Sequence, residues 1–439
     1  MTIAIGIDDT DSRTGMCTTF LASELIQELE EYDLIGLPRL VRLNPNIPWK
    51  TRGNGAICLR FGEGVGKSIP VCQIGEKSYS FYEEGKGDLS SGEIEDRVAK
   101  VVESHYRLDD ENTNPAFVIL DKDPPSSLYW KAVSGIVRLE EVKDMIAHLG
   151  VHHMYKNGRG LIGATSAVSW KPKDYTYEVT AYRDRAKWGT PRELVKDSVI
   201  AMDNEFPSTF NNYDYEEGHM AIAPNSPCPV LFGIRGDSLD DLLPAMSMIK
   251  GEEIQRWTLF LTNQGTDEHL VRRTIGSIGA YESVVADGEV VVGTRMIQGG
   301  HLVFRISDGD EIDCTAYEPS KGFRNIVKGL RVGDKITVYG SLREDPRTIN
   351  VEKLQIRSVV EVDEKISNPK CPECGKRMKS VGTNAGYRCR GCHTQSEEED
   401  AETVKVDRTL SPGFYEPPVS ARRHLSKPLK RMKSELEPS

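Results

Sequence analysis

Ile3-Ala4-Ile5-Gly6-Ile7-Asp8-Asp9-Thr10-Asp11-Ser12 decides how the first half of the chain is read. An apolar run of strand length enters a polar turn, and beyond it Phe20, Leu21, Leu25, Ile26 and Leu29 recur at helical spacing. The pattern predicts strand, loop, helix. Three carboxylates at a strand exit repel one another unless cations neutralise them. Oxygen-only ligands suit Mg²⁺, which commonly uses one or two carboxylates plus substrate phosphates. An Asx-rich turn capping the next helix accounts for the same residues without a metal. Thr18 in Cys17-Thr18-Thr19 falls at the predicted helix N-terminus, where it either faces phosphate or serves as an N-cap.

Working outward, residues 76–111 are rich in Asp, Glu and Lys with little periodicity and read as an exposed helix-and-loop insertion. Phe117-Val118-Ile119-Leu120 is a short strand, and strands such as Tyr177–Tyr182 mix with helical stretches such as Leu239–Ile249, so the middle is α/β or α+β. Gly62–Ser68 resembles a P-loop but fails its spacing, because the first glycine would fall on Phe61. Gly158-Arg159-Gly160-Leu161-Ile162-Gly163 matches G-x-G-x-x-G after a poor buried strand, which weakens a dinucleotide-binding reading. A backbone-amide phosphate loop with Arg159 as charged partner remains open. Lys50-Thr51-Arg52-Gly53-Asn54-Gly55 is a third cluster of cations and glycines, or simply a turn.

From Glu289 the texture changes to five short strands, at 290–292, 302–306, 311–316, 335–339 and 351–356, with one helical link at Phe323–Leu330. This matches an OB-fold β-barrel, with a small β-sandwich or SH3-like barrel as the alternative. Cys371-Pro372-Glu373-Cys374 and Cys389-Arg390-Gly391-Cys392 are separated by 14 residues, the spacing of a tetrahedral Zn²⁺ held by four thiolates. Four protein ligands leave no open position, so the zinc is structural, and Gly375 and Gly391 are expected to permit the tight knuckles. The ribbon is basic (Lys370, Lys376, Arg377, Lys379, Arg388, Arg390), and so is the tail (Arg422, Arg423, Lys427, Lys430, Arg431, Lys433). Such stretches track phosphates or stay solvated. Glu397-Glu398-Glu399-Asp400 reads as a solvated linker.

At 439 residues, and roughly 150 per domain, about three folded units are expected. Hydrophobic residues at 38% and charged residues at 28% exclude general disorder. No apolar run reaches the roughly 18 residues of a membrane helix, and the first residues lack a basic leader. Nine cysteines, four of them clustered, fit a reducing compartment, so a cytoplasmic location is expected. With 56 basic and 67 acidic residues the balance is −11, which argues against a uniformly basic nucleic-acid binder but not against local basic patches.

Gly6–Ser12 and Gly15-Met16-Cys17-Thr18-Thr19 together resemble the N-terminus of the archaeal isoleucine-tRNA agmatidine synthetases. The similarity continues through Lys50–Asn54, Asn157–Ala164, Thr262–Asp267, the five-strand region, the ribbon and Ser420–Leu425. This resemblance implies an ATP-dependent ligase acting on the isoleucine tRNA whose anticodon is CAU. The C2 oxygen of the wobble cytidine is activated by phosphoryl transfer, and the amine of agmatine displaces it to give agmatidine, so that the tRNA reads AUA. It also implies a multidomain α+β chain. A kinase-like ATP-binding α/β domain would occupy 1–150, a ferredoxin-like agmatine-binding domain 151–275 and a tRNA-binding OB fold 280–360. A zinc ribbon at 366–396 and an acidic linker with basic tail at 397–439 would follow.

On this reading Asp8, Asp9, Asp11 and Thr18 are the catalytic set, the aspartates hold Mg²⁺, and Thr18 matches a threonine that the family phosphorylates. Lys50, Arg52, Asn54, Gly158, Arg159 and Gly160 then contact ATP, while Lys376, Arg377, Arg388, Arg390, Arg422 and Arg423 contact tRNA. Agmatine is a dication, so Phe206–Asp214, with Ser208, Thr209, Asn211 and Asp214, is the candidate pocket. The competing reading is a non-catalytic OB-plus-ribbon protein that binds single-stranded nucleic acid. A second rival is a plain protein kinase that uses Thr18 without RNA.

Overall fold

The computed structural model describes residues 2–87, 89–382 and 385–432. Its first half is built on one sheet. In chain order the elements are β1 (Ile3–Asp8), α1 (Thr18–Glu28), β2 (Asp33–Ile35), β3 (Arg39–Arg42), β4 (Gly55–Ile74), β5 (Lys77–Lys86) and α2 (Ser91–His105). Then come β6 (Ala116–Leu120), α3 (Ser127–Ser134), α4 (Leu139–Ile146), β7 (Gly150–Met154), α5 (Gly160–Ser169), β8 (Thr176–Tyr182) and α6 (Lys196–Glu205). The half closes with β9 (Thr209–Phe210), the β10–β11 hairpin (Tyr213–Asp214, His219–Met220), β12 (Val230–Gly236), α7 (Leu239–Met248) and β13 (Arg256–Thr262).

The strand order β7-β6-β1-β4-β3-β13-β8-β12-β9 makes the sheet continuous. β4 is 20 residues long; one end pairs with β1 and β3, and the other pairs with β5 and β13. Alternation along β1 sends Ile3, Ile5 and Ile7 into a core beneath α1 and α2, while Ala4 joins a second core beneath α3, α4 and α5. Asp8 shares the parity of Ala4 and Gly6, so it leaves the sheet on the α5 side. A Cβ on Gly6 would overlap the Ala164 carbonyl, which is why α5 can lie directly on β1.

The five strands read from Glu289 are present, flanked by β14 (Leu270–Arg272): β15 (Ser283–Met296), β16 (Leu302–Ser307), β17 (Glu311–Ala316), β18 (Lys335–Arg343) and β19 (Thr348–Ser358). The helical link is α8 (Phe323–Lys328). Pairing runs β15-β16-β17-β19-β18 and returns to β15. This five-strand ring encloses its own core, with Phe304, Ile336, Val338 and Leu354 inside. β20 (Val362–Ser367) leads to the small cysteine-bearing sheet β21-β22-β23 (Lys379–Ser380, Tyr387–Arg388, Gln395–Ser396).

Three expectations are corrected. Residues 77–86 are strand β5, not helix or loop, and only Ser91–His105 of that region is helical. The run Glu397–Asp400 is a capped 3₁₀ turn leading into β24 (Glu402–Val406), which pairs with β20; the chain is folded there, not a linker. The basic tail is docked on the fold and not free in solvent. β25 (Gly413–Tyr415) pairs with β19, and Leu425 and Met432 are buried. Acids from distant segments meet the tail cations: Arg422 pairs with Glu416, Arg423 with Glu352, and Arg431 with Asp174 and Asp237. Lys433 lies outside the described residues.

Candidate active site and zinc ribbon

The loop after β1 turns sharply because Asp9 adopts a left-handed backbone (φ 56°), which Asp tolerates better than most residues. The three aspartates then diverge. Asp8 is buried against α5, and a Cβ on Gly163 would overlap its Oδ2. Asp9 accepts from Thr51 Oγ1 at 2.7 Å and from the Asn114 amide at 3.1 Å. Asp11 accepts from the Thr18 amide at 2.7 Å and the Thr18 hydroxyl at 3.1 Å, and Arg52 reaches it at 2.8 Å. All three carboxylates line one cavity but are not equivalent: Asp11 is ion-paired with Arg52, whereas Asp8 and Asp9 have no such cation partner among the described residues.

The charges follow the geometry. Burial, then Asp9 and Asp11, raise Asp8 well above the usual carboxylate range. Burial raises Asp9 to about 6, against Thr51, Arg159 and the Asn114 amide. Burial would raise Asp11 as well, but Arg52 and the Thr18 amide hold it below its ordinary value. Two carboxylates that are costly as anions thus stand beside one held ionised.

These groups line a cavity of about 690 Å³, part of it open to solvent. Its polar half carries Lys50, Thr51, Arg52, Asn54 and Arg159 with the aspartates; its apolar half is Leu43, Ile47, Trp49, Ile136, Val137 and Ile162. Arg159 packs against the Trp49 ring, 6.0 Å from its centre, and donates to the Trp49 carbonyl at 2.7 Å. Gly160 lines the cavity, and a Cβ there would come within 2.7 Å of the Asp8 carbonyl; Gly158 takes φ 68° behind it. Thr18 begins α1 with Cys17, not Thr18, as the N-cap. The buried Thr18 hydroxyl also accepts from Thr10 at 3.0 Å. Sequence reading missed Thr51 and the apolar wall. Thr51 sat inside a stretch already singled out, but nothing local marks residues as distant as Ile47 and Ile136 as one surface.

A second cavity of about 1260 Å³ shares Asp11 and Arg52 with the first and is walled by β8, β12 and the tail. Its one further carboxylate is Glu178, which accepts from Arg235 at 3.1 Å. Of the expected agmatine residues only Asn211 lines it. Ser208 donates to Asp241, Thr209 is buried against Phe206, and Asp214 accepts from the Ser420 amide and hydroxyl. The Phe206–Asp214 segment is thus mostly a dock for the tail.

In the ribbon the four cysteine sulfurs lie within 4.8 Å of one another, with Cys371–Cys392 at 3.3 Å and Cys374–Cys389 at 3.5 Å. Thiolates about 2.3 Å from a shared Zn²⁺ are separated by such distances, so the residues fit the ion. The first knuckle turns at Gly375 (φ 69°), as expected, but the second turns at His393 (φ 64°), not at Gly391. Lys376, Arg388 and Arg390 are exposed, whereas Arg377 pairs with Glu402.

Three family models match parts of the chain: the TiaS TCKD domain over residues 4–158, the TiaS FLD domain over 158–269 and the TiaS C-terminal zinc ribbon domain over 368–410. The isoleucine-tRNA 2-agmatinylcytidine synthetase TiaS of Methanocaldococcus jannaschii is 43% identical over 437 residues, 97% of each chain. The chain belongs to the TiaS family. The TiaS protein of Archaeoglobus fulgidus is 42% identical over 99% of each chain. Among solved TiaS structures, a complex with the isoleucine tRNA and ATP aligns at TM-score 0.84 with 40% identity, covering 100% of this chain and 99% of that one. A TiaS complex with the same tRNA, AMPCPP and agmatine aligns at 0.81 with 37% identity and the same coverage. No helix among the described residues is long and apolar enough to cross a membrane.

Proposed function

We propose that the chain is a cytoplasmic isoleucine-tRNA 2-agmatinylcytidine synthetase, which uses ATP to replace the C2 oxygen of the wobble cytidine with agmatine. The observation that carries this reading is the single cavity in which a carboxylate set, three cations and an apolar wall meet beside a threonine hydroxyl. The apolar half suits a nucleobase, and Lys50, Arg52 and Arg159 suit the charge of a transferring phosphoryl group. Asp8 and Asp9 would hold Mg²⁺, which when bound supplies charge neutralisation for the triphosphate.

A cytosine C2–O bond is a poor one to break, so its oxygen must leave as phosphate. Phosphoryl transfer to O2 forms the O–P bond as the P–O bond of ATP breaks. The agmatine amine then attacks C2, loses a proton, and expels the phosphorylated oxygen. Asp11, held ionised by Arg52, stands 3.1 Å from the Thr18 hydroxyl and is placed to take its proton when that oxygen is the phosphoryl acceptor. Agmatine, a dication, is assigned to the second cavity, where Glu178 is the carboxylate supplied by β8.

The division into a kinase-like domain (1–150), a ferredoxin-like agmatine-binding domain (151–275), an OB fold (280–360), a zinc ribbon (366–396) and a tail belongs to the same proposal. The β15-β16-β17-β19-β18 ring supports the OB assignment, and exposed Lys376, Arg388 and Arg390 support tRNA contact by the ribbon. The test is to incubate the protein with ATP, Mg²⁺, labelled agmatine and a tRNA transcript with a CAU anticodon. ATP-dependent label in RNA, abolished by Asp9→Ala, is expected. No transfer by the unaltered protein overturns the reading in favour of a binding protein. Phosphate on Thr18 from γ-labelled ATP without RNA, with no agmatine label in RNA, favours the kinase.

A further inference from the structure

Between the first cavity and the tail lies a third cavity, about 590 Å³, with Arg42, Gly53, Arg422, Arg423 and His424 shared between it and the second. Arg42, Lys50, Arg422 and Arg423 line it with Leu43, Pro45, Gly53, His424 and Leu425, and no acid is among them. Two of the four cations are already compensated, Arg422 by Glu416 and Arg423 by Glu352. Among the described residues the other two are not. Lys50 donates only to the Pro45 carbonyl. The Arg42 side chain makes one long hydrogen bond, to the Gly53 carbonyl at 3.4 Å, and its buried Nε has no partner among the described residues.

Asp11 and Glu178 are near enough to be felt by Arg42, but each is paired, with Arg52 and Arg235. The site is also built around Arg42. A Cβ at Gly53 or Gly55 would lie 2.7 or 2.8 Å from its Nη1, so two glycines leave the guanidinium its place. The positive charge of Arg42 beside it pushes His424 towards the neutral form. A half-buried guanidinium without a directly paired counterion is costly, and Asp11 and Glu178 offset that cost only from a distance.

We propose that this cavity receives an RNA phosphodiester next to the target nucleotide, with Arg42 as its principal ligand and Lys50 as a second. The reading rests on the synthetase assignment above. A planar fork with free N–H groups matches phosphate oxygens. The tail supplies Arg422 and Arg423 to the opposite wall, so the strand would pass between the 42–53 segment and the tail. Lys50 also faces the first cavity, which puts the phosphodiester beside the ATP site and makes the linkage flanking the modified cytidine the natural occupant.

The test uses the full-length protein and its Arg42→Gln and Arg42→Lys variants. Loss of a charge-assisted contact should raise KM for tRNA about ten-fold or more in Arg42→Gln, with partial recovery in Arg42→Lys. KM for ATP should stay near the unaltered value. The melting temperature of free Arg42→Gln should equal or exceed that of the unaltered protein, because an uncompensated charge has been removed; a merely structural role predicts a fall. Transcripts carrying one neutral methylphosphonate at each linkage flanking the target cytidine supply the decisive comparison. One such linkage should weaken binding to the unaltered protein and have no further effect on Arg42→Gln. A rise in KM for ATP with KM for tRNA unchanged would assign the cavity to the nucleotide and overturn the proposal. So would a fall in melting temperature with KM for tRNA and for ATP both unchanged. Failure of the unaltered protein to label tRNA would instead remove the synthetase reading itself.

Discussion

Asp9 shows how one residue's surroundings set a measurable property. Burial raises its folded pKa to about 6, above the ordinary 3.8 of an unfolded aspartate. The folded state therefore gains relative stability below about pH 4, and that gain is lost as pH rises through about 6. Above pH 7 the ionised carboxylate is a liability, on the order of 2–3 kcal/mol for a shift of this size. Asp9→Asn should accordingly melt higher than the unaltered protein at pH 8 without Mg²⁺, while losing activity. Mg²⁺ should raise the melting temperature of the unaltered protein and much less that of the variant; thermal melts at pH 5 and pH 8 check both. Asp8, Asp9 and Asp11 were legible in the sequence because they are adjacent in it. Their division of labour was not, since Asp11 is set apart by Arg52, 41 positions away. Arg42 was not legible at all, because what singles it out is a missing partner, and only the folded chain defines that.

At the scale of elements, the contact of α5 with β1 carries the site. The G-x-G-x-x-G stretch was readable as a phosphate loop, yet two of its glycines serve close packing. Gly160 lies against the Asp8 and Asn114 carbonyls, and Gly163 against the Asp8 carboxylate. Gly163→Ala should push Asp8 out of place, destabilise the protein by about 1–3 kcal/mol and lower kcat by about two orders of magnitude. Gly92→Ala in α2, where a Cβ meets nothing within 4 Å, should leave kcat unchanged and at most stabilise the fold. Chemical denaturation and steady-state kinetics on the pair separate packing from general helix effects. Apolar runs identified β1, β6, β8 and the five strands after Glu289, because each packs its apolar residues against a core. Strand β5 was missed for the converse reason. That strand pairs with β4 along its length but leaves Lys77, Ser78, Glu83, Glu84 and Lys86 exposed, so charge obscures the alternation.

Across the whole molecule, the tail joins parts that sequence reading treated as separate. Local composition made it a basic ribbon for phosphates. Its partners, however, are Asp174, Asp214, Asp237 and Glu352, acids up to 257 positions away, which no local reading can connect. The −11 net charge is therefore partly used inside the fold, and only the compensated cations of the tail vanish from the surface. Glu352 is the junction. It lies on β19 of the ring, accepts from His269 at 3.0 Å and from Ser341, and pairs with tail Arg423 at 3.0 Å. Next to it the buried Lys353 reaches Asp267 at 2.6 Å. Burial alone would raise Glu352, but Arg423, His269 and Ser341 hold it at about 2, below the ordinary 4.5. A depressed carboxylate stabilises the fold above about pH 4.5, and that contribution is lost as pH falls towards 2. Glu352→Gln should thus cost about 3 kcal/mol at pH 7, and the difference from the unaltered protein should shrink below pH 4. Because Arg423 loses its counterion in the same step, the tail should also loosen: limited proteolysis near residue 423 should speed up at pH 7, while the four-cysteine ribbon stays resistant. An unchanged cleavage rate alongside lower stability would mean that Glu352 supports the ring alone and that the tail is held by its other acids.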